Sequence, residues 1–372
     1  MRHLSATEAA SYLVSALGMG QPQGVGKDGL LATFRRLGVI QLDPLEPIGT
    51  NVDLVAMARV DGLRRGEAMS TLLAGHAFDH WAKERCLLPA AWFPAWRANV
   101  RHAPWWGLEA REGRVPAALV DAVLAEIVER GPVSVRSLSD RGRVEPFSYT
   151  AWKGTGRMAT MAVEILWTRC QVVTVGRTGP DRVVDVPERA LPGVANQTFG
   201  GDFATHALTE ATRAAALLGW PAGQARWSLL RGFGGGPADR LVQEGVLEAV
   251  RVTGTGSRTW LAPAGELDRT PEPPDDCMRI VGPLDPLIWD RRLVEAVFGF
   301  HYRWEVYTPA KKRQFGWYVV PLLHRGAFVG RFEGRVKGSR IEVQGLWPEP
   351  GREFDRRAFD EALARHEAAV AP

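Results

Sequence analysis

No run of apolar residues in the chain approaches the roughly 18 that a helix needs to cross a bilayer, so no membrane-spanning helix is expected. Nor does the start read as a signal peptide. Met1-Arg2-His3-Leu4-Ser5 leads straight into a helix, with Ser5 and Glu8 at capping-box spacing. Cysteine is scarce: Cys86, Cys170 and Cys277 are odd in number, far apart and without a CxxC pair. That argues against a disulfide framework and for a cytoplasmic chain. Lysine is scarce too, at six of 46 basic residues. Arginine supplies the rest, and its planar fork suits phosphate and carboxylate, although coding bias gives the same excess.

Several catalytic signatures are missing as well. There is no H-E-x-x-H and no G-x-S-x-G. Gly232-Phe233-Gly234-Gly235-Gly236 lacks the G-K-[ST] ending of a phosphate loop and reads as a turn entering a helix. His76 and His80, spaced i, i+4, would share one helix face, with only Cys86 near in sequence as a third ligand. A polar helix face beside Trp81 is the simpler reading, and neither metal nor cofactor is expected.

What is present is a chain of 372 residues, 45% hydrophobic, with net charge +4 and 14 tryptophans. Its pI is about 9.1. The length suits about two to four domains, and the composition supports real cores.

The chain is organised around Val39-Ile40-Gln41-Leu42-Asp43-Pro44. The spacing predicts a short strand over 39–43, stopped by the proline. Ile40 and Leu42 would face the core, with Gln41 and Asp43 on the other side, roughly 6–7 Å apart. A helix capped by Asp28 and closed by Gly38 leads in, and another starts at Asn51. A carboxylate with a neighbouring amide between two helices is suited to handling one water molecule. An ordinary polar strand face is the alternative.

The predicted fold class is α+β: tandem winged-helix units in an arc, followed by a small C-terminal β-sheet or barrel. Residues 1–110 form a helical block around the motif, a winged-helix-like unit whose wing is not evident. In 111–195, helices marked by Leu119 to Ile127 and by Arg157 to Arg169 precede strands 172–175 and 183–186. Three helix starts followed by a hairpin is winged-helix order. The order recurs over 196–266. A proline- and acid-rich linker ends at Asp276, and 277–372 switches to a period of two, with strands at 304–307, 317–323, 327–332 and 340–346 and a closing helix.

Nucleic acid is the partner this organisation favours. Lys153-Gly154-Thr155-Gly156-Arg157 enters a helix, where free N–H groups suit a backbone phosphate. Arg177 and Arg182 lie on a wing. Lys311, Lys312 and Arg313 sit in a loop flanked by Tyr307 and Trp317. With Asn51, these are the candidate contacts to double-stranded DNA, made by a monomer.

The chain resembles the AlkZ/YcaQ family of DNA glycosylases. The resemblance is carried by Leu37 to Pro44, Asp53-Leu54-Val55, Ala58-Arg59-Val60, and Trp81 with Leu87-Leu88-Pro89. Further on it is carried by Val186 to Arg189, Leu284 to Arg291, Tyr302 to Tyr307, Lys312-Arg313, and Phe328 to Arg331. It implies tandem winged helices with a C-terminal β domain, and a catalytic signature of Gln, an apolar residue, then Gln or Asp. The signature falls on Gln41 and Asp43, the form seen in the YcaQ branch, which acts on N7-alkylated purines and some interstrand crosslinks. Where family members often carry an arginine and a histidine, this chain has Gly49-Thr50-Asn51-Val52, and Lys83 replaces a histidine after Trp81. No amine nucleophile stands in the motif, so a monofunctional enzyme without lyase activity is expected. The alternative class is a non-catalytic winged-helix DNA-binding protein or regulator, which would select a sharp consensus sequence and release no base.

Overall fold

Short helices alternate with small sheets through the described residues, so the fold is α+β. The structure, a computed structural model, describes residues 1–101, 107–145, 156–221 and 227–370. By contact the chain forms two units: 1–68 with 204–372, and 69–203. Among the described residues no helix is long and apolar enough to cross a membrane.

In the unit formed by 69–203, helix Ala117–Arg130 is followed by strand Val133–Ser134, a turn at Val135–Ser137 and helix Met158–Thr168. The hairpin Val173–Thr178 with Asp181–Asp185 follows, and Val133–Ser134 pairs with its second strand. A winged helix has this order and this pairing, with the middle helix here shortened to one 3-10 turn. Val123, Ile127, Ile165, Leu166, Trp167 and Val184 form its core.

Residues 76–89 differ from expectation. They are not helical but form a second hairpin, Ala77–Trp81 with Arg85–Pro89. His80 therefore lies on a strand opposite Cys86, and no face is shared with His76. Burial pushes the His80 imidazole down to about 4 and the Cys86 thiol up to about 12, so His80 is neutral and Cys86 a protonated core thiol at pH 7. Asp79 explains why this segment prefers a strand. Its Oδ2 accepts from Arg85 Nε at 2.9 Å, and its Oδ1 accepts from Trp167 Nε1 at 3.1 Å and the Thr174 amide at 3.3 Å. Sequence periodicity does not register such bonds to a distant tryptophan.

Burial alone would raise the Asp79 carboxyl, but Arg85 and Arg182 outweigh it and hold it at about 2, below 3.8. A depressed pKa contributes stability that is full above the unfolded value and lost as pH falls to the folded one. Asp79→Asn should therefore cost about 2 kcal/mol at neutral pH and flatten the drop in melting temperature between about pH 4 and pH 2, read by thermal melts across that range.

In the other unit, helix Phe203–Ala215 ends beyond the unit boundary and leads to strand Leu218–Trp220, a 3-10 turn at Ser228–Leu230 and helix Gly236–Gln243. The hairpin Leu247–Val252 with Thr259–Pro263 follows, and Leu218–Trp220 pairs with its second strand. One strand comes from the far end of the sequence: Arg2–Leu4 adds parallel to Val250–Val252.

Residues 279–348 form an antiparallel sheet, with Arg279–Ile280, Val319–His324, Ala327–Lys337 and Arg340–Pro348 in that spatial order. Helix Arg356–Val370 packs on it. Residues 304–307, expected as a strand, lie in an irregular segment, because the Glu305 carboxylate accepts from the Gln314 and Phe315 amides at 3.0 Å and folds the chain into a loop. Ile48 and Leu54, from beside the motif, join the core of this sheet with Tyr318, Val320, Phe332 and Phe359.

Candidate active site and nucleic-acid interface

Helix Gly26–Leu37 delivers the chain to the motif. Its N-cap is Val25 rather than Asp28, and it ends at Gly38 with φ +67°, a conformation glycine adopts without Cβ strain. The strand is only Ile40–Gln41. Pro44 cannot donate to a ladder, and the Asp43 side chain supplies the local structure instead: its Oδ1 accepts from the Leu45 amide at 2.8 Å, an Asx turn. Gln41 is 9% exposed, and its Oε1 is buried with no hydrogen-bond partner among the described residues. Asp43 is half-buried; burial pushes its carboxyl up, against the lowering effect of the Leu45 N–H. A carboxylate so placed is a stronger base than usual.

The stretch behind the motif is a clamp. Thr50 caps helix Asn51–Met57 in a capping box with Asp53, a pattern readable as Thr-x-x-Asp. Asn51, expected to contact DNA, is fully buried. Its Nδ2 donates to the Gln41 carbonyl at 2.8 Å, and its Oδ1 accepts from the Leu284 amide at 3.3 Å. A short side chain carrying both a donor and an acceptor is what such a bridge needs, and a group held this way cannot reach a duplex. Gly282 allows the approach: a Cβ there would lie 2.9 Å from Asn51 Oδ1 and 3.0 Å from Leu54 Cβ. The loop is also pinned by Val336 N–H to the Pro47 carbonyl at 2.9 Å and by His366 Nε2 against the Ile48 carbonyl at 2.6 Å. Burial lowers the His366 pKa, so the ring is neutral and donates that proton.

The C-terminal sheet brings aromatic groups to the same region. Tyr318 is 1% exposed and shares its core with Ile48, Leu54 and Leu45. Its ring lies 6.0 Å from Trp304, edge to face, and Trp304 lies 5.9 Å from Tyr307, which is 86% exposed. A cavity of about 400 Å³ lined by Met57, Arg64, Cys277, Arg365 and His366 includes neither Gln41 nor Asp43.

The expected DNA contacts fall into two groups. Arg177 is exposed at the wing tip, its Nη2 donating to the Pro180 carbonyl of the same turn at 2.9 Å, and Lys311 and Lys312 are exposed with no ion pair among the described residues. The other arginines are tied to the protein. Arg182 is ion-paired with Glu164, Arg157 donates to the Arg136 and Leu138 carbonyls at 2.9 and 2.6 Å, and Arg313 donates to the Thr308 carbonyl at 2.8 Å. Lys153 lies outside the described residues. Among the described residues no group of three or more His, Cys, Asp or Glu is placed to hold a metal ion.

A solved structure, Streptomyces sahachiroi DNA glycosylase AlkZ, matches 100% of this chain and 99% of its own, with a TM-score of 0.62 at 16% identity. At that identity the likeness is one of fold. A family model described as DNA glycosylase AlkZ-like matches residues 34–369, a span that contains Gln41, Asp43 and the clamp behind them. The chain belongs to the AlkZ-like DNA glycosylase family.

Proposed function

We propose that the protein is a monofunctional glycosylase of the Gln-x-Asp type, which hydrolyses the N-glycosidic bond of N7-alkylated purines in double-stranded DNA. The carrying observation is one pair, two residues apart: a half-buried carboxylate of raised basicity and a buried amide oxygen with no partner among the described residues. An N7-alkylated purine is cationic and departs as a neutral base, so the leaving group needs little acid assistance. Positive charge develops on the sugar instead, where Asp43 stabilises it electrostatically. Asp43 accepts a proton from the attacking water, Gln41 holds that water, the C1′–N9 electrons leave with the base, and a C1′–O bond forms. Asp43 stays partly exposed, which supports access to bulky adducts and interstrand crosslinks without a closed extrusion pocket.

The test is release of 7-methylguanine from duplex DNA. Wild-type protein should release it, and Gln41→Ala should lower the single-turnover rate by about a hundredfold, the cost of a misplaced reactant. No release by the wild type would sink the reading.

Binding adds a second expectation. Lys311 and Lys312 are proposed phosphate contacts, with Arg177 on the wing. Lys311→Ala and Lys312→Ala should each reduce the slope of log affinity against log salt by about 1, equally on damaged and undamaged duplex. An unchanged slope would remove the loop from the interface.

A further inference from the structure

We propose that Tyr318 is a positioning residue of the active site, its hydroxyl holding the nucleophilic water between Gln41 and Asp43. This rests on the glycosylase reading above and extends it to a residue outside the motif. Three observations carry it. The Tyr318 hydroxyl is buried in a side chain 1% exposed, yet it has no hydrogen-bond partner among the described residues. The Nε1 of Trp304, whose ring packs edge to face on Tyr318, and the Gln41 Oε1 are in the same state. Tyr318 also shares one core with Ile48 and Leu54, against which Leu45, just after the motif, packs.

Buried polar groups are ordinarily satisfied. The Tyr318 orphan, within reach of the Asp43 charge, and the Gln41 orphan two residues before that carboxylate point to a polar ligand shared around Asp43. A single water matches the Tyr318 hydroxyl, the Gln41 amide oxygen and the Asp43 carboxylate. It has two protons and two lone pairs. One proton goes to Gln41 Oε1 and the other to Asp43 Oδ2, because Oδ1 already accepts from the Leu45 amide. One lone pair accepts from the Tyr318 hydroxyl, and the second is left to attack C1′. The phenol can play only the donor part: burial and then the Asp43 charge push its pKa far up, so it keeps its proton. Trp304, set edge to face against the ring, fixes its direction.

Tyr318→Phe removes the hydroxyl and keeps the ring. With 7-methylguanine duplex as substrate, we expect the single-turnover rate to fall roughly 10- to 100-fold, with duplex affinity within twofold of wild type and no drop in melting temperature. A ring with a purely structural role gives no such loss, since deleting an unbonded hydroxyl from a dry core is neutral or stabilising. In a double-mutant cycle with Gln41→Ala the two losses should not multiply, because both act on one water. A Tyr318→Phe rate within twofold of wild type, or losses that multiply, overturns the proposal. If Asp43→Asn abolishes release while Tyr318→Phe does not, the glycosylase reading stands and this inference falls; if the wild type releases no base, both fall.

Discussion

Asp43→Asn is expected to lower the single-turnover rate of base release by roughly 10²- to 10⁴-fold, the usual contribution of a general base, while leaving the melting temperature at neutral pH equal or higher. The two halves of this expectation have one cause. Burial raises the Asp43 carboxyl above 3.8, so the folded protein holds that proton more tightly than the unfolded chain does. Stability then falls as pH rises through the interval between the ordinary and the raised value, and the penalty is complete at neutral pH. Asparagine has no such charge, and its Oδ1 can still accept from the Leu45 amide. Activity follows the opposite sign. It requires the carboxylate, so it is full above the raised value and lost as pH falls through it. The acid limb of the rate profile should therefore lie above 3.8 in the wild type. A limb at or below that value, or an asparagine variant that melts well below wild type, would mean that Asp43 is a structural carboxylate.

The largest stability effect is expected at Arg59. Its guanidinium meets the Asp285 carboxylate in two parallel bonds of 2.7 and 2.9 Å, and it also donates to the Leu17 and Val55 carbonyls at 2.7 and 2.9 Å. Both side chains are completely buried. Removing one partner strands the other charge in the interior. Arg59→Met or Asp285→Ala should each cost about 3–5 kcal/mol, read as a lower midpoint in urea. Replacing both, with Arg59→Met and Asp285→Leu, should recover part of the loss, because a well-packed apolar pair needs no desolvation of charge. The pair also holds residues 283–290, and with them the Leu284 amide that fixes Asn51, so the single variants should loosen the backing of the Gln41 strand. If the double variant were as unstable as the singles, the cost would lie in packing rather than in the stranded charge.

Local chemistry made parts of the chain readable. Helix Ala117–Arg130 follows from apolar residues at helical spacing and the glycine after it, and hairpin Val173–Asp185 from alternating β-branched residues around a Gly-Pro turn. The motif stood out because a proline ends an apolar strand next to a carboxylate, and the resemblance to a glycosylase family suggested a reaction for that carboxylate. Less local features were hidden. Arg2–Leu4 reads as a lead-in to a helix, since nothing in three residues announces a parallel partner near position 250. The hairpin at 77–89 has no glycine or proline at its turn, and the bonds that favour it come from Trp167 and Thr174.

The sequence by itself determined the α+β class and the family, and it singled out Gln41 and Asp43 as the candidate pair, since period, turn chemistry and motif spacing are properties of neighbouring residues. The tertiary structure decided what each charge and amide is free to do. Arg157, Arg177 and Arg182 look alike as letters, but carbonyls of another segment hold the first and a glutamate the third, while Arg177 is exposed and, among the described residues, donates only within its own turn. Asn51 changed from a surface contact to a buried bridge, and Tyr318 came to the motif across more than 270 residues of sequence. Burial and hydrogen-bond partners are set by the packing of distant segments, and they determine which polar groups remain available for chemistry.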